Sequence, residues 1–136
     1  MKYRLAFASD AGELSEVRHV ARTFLDENGF DESDAELLVL ALDEACTNII
    51  RHAYRQARKP VRLEMTRLRN RVRFVLRDYG QSCDPKRIRS RDLKDVRPGG
   101  VGVHIIKEVF DTVKYEPQPR GTKLTLEKNL PKNPAS

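Results

Sequence analysis

Two stretches of this chain keep a strict two-residue period: Val61, Leu63 and Met65 within 61–67, and Val72, Phe74 and Leu76 within 71–78. The positions between them are mostly Arg, Glu and Thr. Successive side chains of a strand point to opposite faces, so both stretches are strands with one apolar and one wet face. Arg69-Asn70 between them predicts a hairpin. A sheet that is apolar on one side must bury that side against another layer. The rest of the chain has to supply the cover.

Two amphipathic segments do so. Leu14, Val17, Val20, Ala21, Phe24 and Leu25 follow helical spacing, and Asn28-Gly29 closes that helix. A second helix is predicted to open at a capping box, Ser33-x-x-Glu36, and to carry Leu37, Leu38, Ala41, Ala45 and Ile49 as far as about Tyr54 or Arg55. Residues 2–8 alternate through Tyr3, Leu5 and Phe7 and read as a first strand. A third helix is expected over 101–110, a closing hairpin from strands 112–116 and 121–127, and a frayed tail from about 129 to 136. The architecture is β-α-α-β-β-lid-α-β-β. It is a two-layer α/β sandwich with helices on one face of a mixed, mostly antiparallel sheet, and one domain spans residues 1–136.

Composition narrows the setting. Of 136 residues, 39% are apolar and 34% charged, which is ordinary for a soluble globular protein. Cys46 and Cys83 give no disulfide framework and read as reduced thiols. No run approaches the roughly 18 apolar residues that span a bilayer, and MKYRLAFASD lacks the apolar core of a signal peptide. A cytoplasmic protein with no membrane partner is expected. The +6 charge is uneven: eight acids and no Lys or Arg lie between Arg22 and Arg51, while 86–97 carries six basic and two acidic side chains. That basic segment has no interleaved aromatics, and the acidic helix region would repel a phosphate backbone, so nucleic acid is not the expected partner.

Four short motifs carry the chemistry. Glu44-x-x-x-Asn48 puts a carboxylate and an amide one helical turn apart, among Leu, Ala, Cys and Ile, where bare polar groups are costly. A magnesium ion with its waters would satisfy them. His52 continues the stripe, but the spacing is not that of a zinc helix. Asp78-x-Gly80 ends a strand, either as an acceptor for an exocyclic amine or as a simple turn. Gly99-Gly100-x-Gly102 leads into a helix, so bare amides and a helix start face outward together, as phosphate binding requires; a glycine hinge is the alternative. It is neither the dinucleotide fingerprint nor a P-loop. Gly121-Thr122 opens the last strand, where glycine permits close approach and threonine offers a hydroxyl. The Gly- and Pro-containing stretch of about 81–100 reads as a lid.

In this order the motifs resemble the nucleotide-binding boxes of the GHKL ATP-binding superfamily, which includes gyrase, heat-shock chaperone, histidine kinase and mismatch-repair ATPases. The likeness covers nearly the whole chain. DEACTNIIRHAY, RDYGQSCDP, GGVGVHIIKEVFDTVKY and RGTKLTL are most similar to the small bacterial anti-sigma factor serine/threonine kinases. The resemblance implies the histidine-kinase/gyrase-type ATPase fold, with Glu44 as general base and Asn48 holding magnesium against the phosphates of ATP. It implies that Asp78 and Gly80 form the adenine pocket, completed by Thr122. Gly100, Val101, Gly102 and Val103 would close on phosphate. It also implies a homodimer, a sigma factor as one partner, and a small STAS-type anti-anti-sigma protein as the phosphorylated substrate. Ser82 stands where many superfamily members have a second glycine, and Cys83 where the kinase branch has Phe. The alternatives are a nucleotide-gated binding module that transfers nothing, and a histidine-kinase catalytic domain. For the latter, no helical phosphoacceptor region precedes the ATP domain.

Overall fold

The computed structural model describes residues 2–8, 13–50, 60–79 and 105–132. Within them the chain runs β1 (Lys2–Ala8), α1 (Leu14–Glu27), α2 (Glu32–Ile49), β2 (Pro60–Arg67), β3 (Arg71–Arg77), α3 (105–109), β4 (Thr112–Pro117) and β5 (Thr122–Asn129). The strands form one sheet in the order β1-β2-β3-β5-β4.

All of the ladders among the described strands are antiparallel, where the sequence reading allowed a mixed sheet. For β1 and β2 the reason lies in their connection. One intervening helix would return the chain parallel to its start, whereas two reverse it twice and deliver β2 antiparallel to β1. Register carries the apolar alternation straight across the sheet. Leu5, Leu63, Leu76, Leu124 and Tyr115 form one row, and Tyr3, Met65, Phe74, Leu126 and Val113 the next. A slip of one residue would turn either row to the wet face.

The buried core joins these rows to α1, α2 and α3, through Val17, Ala21, Phe24, Leu25, Leu38, Leu42 and Ile106 among others. Tyr3, Phe24, Phe74 and Phe110 run through it edge to face, with ring centroids 5.7, 5.7 and 5.8 Å apart. The opposite sheet face is polar. There Glu127 receives Arg73 at 2.7 Å and Arg71 at 3.2 Å. Burial alone would raise the Glu127 carboxyl, but hydrogen bonds from Arg73 and Arg71, with their charge, outweigh it and hold it below the usual carboxylate range.

Helix ends show where local chemistry was and was not legible. α1 closes as expected: Gly29 takes φ 85°, its N–H donates to the Asp26 carbonyl, and the Phe30 N–H donates to the Leu25 carbonyl. This paired arrangement needs a left-handed residue at Gly29. The start of α2 differs from expectation. Asp31, not Ser33, is the cap; its Oδ1 accepts from the Asp34 N–H at 2.8 Å, and Ser33 lies inside the helix. Aspartate offers a charged acceptor to the helix start and wins the position. The expected continuation of α2 to residue 54 or 55 lies outside the described residues, as do the lid, the start of the third helix and the last four residues. β5 outlasts its expected end at 127, because Lys128 and Asn129 pair with Val72 and Arg71. The Leu130 N–H then donates to the Asn70 carbonyl.

Candidate functional site

Strand period brings the first pair of site residues together. Two steps along β3 from Leu76 is Asp78, and two steps back along β5 from Leu124 is Thr122. Both therefore fall on the core side of the sheet, at its end. The Asp78 N–H donates to the Thr122 carbonyl at 3.1 Å. Asp78 is 2% exposed and Thr122 7%, so a carboxylate and a hydroxyl sit where the apolar rows stop. A buried carboxylate in that position is costly unless it serves a polar group.

Gly121 makes the approach possible. Its φ is 83°, and a Cβ built there would lie under 3.0 Å from the carbonyl carbon, carbonyl oxygen and Oδ1 of Asp78. Only glycine combines that torsion with that proximity. The sequence reading treated Gly121-Thr122 as a hairpin start beside the base. The structure adds that Gly121 is the wall against which Asp78 is set.

Glu44 and Asn48 lie one turn apart on α2. Topology then decides which end of the sheet they approach. β1 ends at Ala8 opposite Pro60, on the same side as Asp78, and α1 begins shortly after. α1 ends at the other side, where the Arg67 guanidinium donates to Asn28 Oδ1 at 3.0 Å and the Tyr3 hydroxyl donates to Glu27. α2 starts there and runs back. Arg18, early in α1, meets Asp43, late in α2, at 2.8 Å. The C-terminal half of α2, with Glu44 and Asn48, is therefore returned toward the sheet end that holds Asp78.

The Asn48 side chain is the informative one. Its Nδ2 and Oδ1 are both buried, and neither has a hydrogen-bond partner among the described residues. An amide left this way costs free energy, and such groups in folded proteins commonly await a ligand, water or ion. The neighbour of Asn48 one turn back, Glu44, is half-buried. The Asn48 Oδ1 is an oxygen donor that suits a hard cation such as magnesium, which takes oxygen ligands and keeps several waters. The residues present fit that group. Among the described residues no cluster of three His, Cys, Asp or Glu could hold a metal by protein ligands alone. His52, Cys83, Gly80, Gly100, Val101, Gly102 and Val103 lie outside the described residues.

Two supports escaped the sequence reading. Arg18 binds Asp43, the neighbour of Glu44; the two are 25 residues apart, and only antiparallel packing of the helices joins them. On the wet face, Arg77 places its guanidinium 4.5 Å from the Tyr79 ring centroid and donates to the Asp78 carbonyl, bracing the strand end. The RDY order around Asp78 was the available signal. Cys46 lies in the core, and burial first, with Asp43 second, pushes its thiol up, so it stays protonated and inert.

Residues 7–128 match the family model of the histidine kinase-like ATPase domain. The chain belongs to this family. Among its relatives is the serine-protein kinase RsbW of Halalkalibacterium halodurans, 29% identical over 110 residues, covering 75% of this chain and 67% of the relative. The Bacillus cereus protein of the same name is 24% identical over 121 residues, covering 83% and 76%. Solved structures of similar fold include the RsbU and RsbW domains of a Mycobacterium tuberculosis protein. That match has a TM-score of 0.71 at 20% identity, over 96% of this chain and 32% of that one. This chain thus spans about a third of the length of that solved chain. A blue-light activated histidine kinase from Erythrobacter litoralis matches with a TM-score of 0.57 at 13% identity, over 88% of this chain and 60% of that one. Both share the histidine kinase-like ATPase fold with this chain. No helix among the described residues is long and apolar enough to cross a membrane.

Proposed function

We propose that this chain is an ATP-dependent serine-protein kinase and anti-sigma factor, which phosphorylates a small STAS-type anti-anti-sigma protein and sequesters a sigma factor as a cytoplasmic homodimer. The observation that carries the reading is Asn48: a buried amide with both polar atoms unpartnered among the described residues, one turn from Glu44. Membership of the ATPase family and relatives named serine-protein kinase support it.

In this reading the Asp78 carboxylate accepts from the adenine amine, with Gly121 holding it in place and Thr122 beside it. Magnesium, when bound, offsets charge on the ATP phosphates. The Asn48 Oδ1 would ligate it, and Glu44 would take the proton from the serine hydroxyl that attacks the terminal phosphate as ADP leaves. Phosphoryl transfer depends mainly on such positioning and charge. The resemblance assigns Gly80 to the base side of the nucleotide, and Gly100, Val101, Gly102 and Val103 to its phosphates.

Transfer of labelled phosphate from Mg·ATP to the small STAS-type proteins of the same organism tests the reading. Serine labelling that Glu44→Ala abolishes, with nucleotide binding retained, supports it. Binding of ATP without labelling of any candidate would instead make the chain a nucleotide-gated binding module.

A further inference from the structure

Leu37 and Leu40 are the exposed large apolar side chains among the described residues, at 49% and 46%, and both lie on α2. With Glu44 they occupy positions i, i+3 and i+7, which is one stripe of an α-helix. The buried positions of the same helix, Ala35, Leu38, Ala41, Leu42, Ala45 and Cys46, define the opposite side. A ridge of two leucines therefore leads along the solvent face of α2 to the carboxylate assigned as the base.

We propose that this ridge is the docking surface for the protein substrate, an inference that rests on the kinase reading. A serine that reaches Glu44 belongs to a folded partner, and that partner must cover the helix surface next to Glu44. The ridge lies on that surface. Its surroundings are acidic: Glu32, Asp34 and Glu36 flank it, within a span of eight acids and no Lys or Arg between Arg22 and Arg51. The occupant is thus a serine-bearing protein presenting an apolar patch with a basic rim. A second copy of this chain fits poorly, because a two-fold contact would lay this acidic helix against itself.

The test compares wild type with the Leu37→Ser/Leu40→Ser double variant, using the STAS-type protein that the wild type labels. Both leucines are already half in water, so the variant retains its core. Losing their burial at the interface is expected to raise KM for the protein about thirtyfold. With the ridge contributing only binding, kcat stays within about twofold. ADP affinity and oligomeric state stay unchanged. An unchanged KM overturns the proposal. So does a shift in sedimentation with KM intact, which would make the ridge a contact between copies. Glu36→Lys supplies an independent arm: a raised KM whose difference from wild type shrinks with salt supports the basic rim, and no effect removes it. Absence of any labelling by the wild type is a different failure. It removes the kinase reading and this surface with it.

Discussion

Replacing Asn48 by leucine should make the nucleotide-free protein more stable and the nucleotide-bound protein less so. Both polar atoms of the Asn48 amide are buried without a partner among the described residues. Each such atom costs roughly 1–3 kcal/mol, and leucine has the same branching at Cγ and needs no hydrogen bond. Allowing for imperfect packing, the gain in the absence of nucleotide should be about 2 kcal/mol. For a domain of this size that corresponds to about 6 °C in Tm. With Mg·ATP present at a thousandfold its Kd, the wild type should gain about 4 kcal/mol by linkage, and the variant almost none. The two proteins therefore exchange order. Urea unfolding of each, with and without Mg·ATP, reads all four values. A nucleotide-free Asn48→Leu protein that is less stable than wild type would show the amide to be structurally satisfied and would refute the reasoning.

Other perturbations separate the remaining roles. Asp78→Asn should weaken ADP binding by about 1.5–3 kcal/mol, the worth of a hydrogen bond to a charged acceptor, and calorimetry showing unchanged affinity would take Asp78 out of the pocket. Gly121→Ala forces a side chain into a φ of 83° and against the Asp78 backbone, so it should cost about 3 kcal/mol in urea unfolding and weaken ADP binding together. Loss of neither would mean that the strand end shifts freely. For Glu127 the folded pKa is depressed by Arg73 and Arg71, so the unfolded chain binds the proton more readily. Its contribution is complete above the unfolded glutamate value of about 4.3 and is lost as pH falls through the lowered folded value. Stability measured against pH should lose part of its acid limb in Glu127→Gln, and an identical profile would assign that limb elsewhere.

Much of this molecule is written in local pattern. The period of two in 61–67 and 71–78 is enough to make a one-sided sheet, because a pleated strand has no other way to segregate Val61, Leu63 and Met65 from Arg62 and Glu64. Asn28-Gly29 ends α1 for an equally local reason, the torsion that Gly29 alone accepts cheaply. Glu44 and Asn48 are neighbours by helical geometry in any fold that keeps α2. The cap of α2 was locally ambiguous, since Asp31 and Ser33 are both good caps, and the charged acceptor of Asp31 takes the position.

What only the tertiary structure decided is how distant pieces meet. Nothing in the sequence couples Arg18 to Asp43, sets Gly121 against Asp78, or strips both polar atoms of Asn48 of partners while leaving Leu37 and Leu40 in water. Each depends on the antiparallel return of α2 along α1 and on β5 taking its place beside β3. Local pattern dictates which face of an element is apolar, because that follows from backbone period alone. Contacts between elements follow from the packing of all those faces at once, and no single segment encodes that.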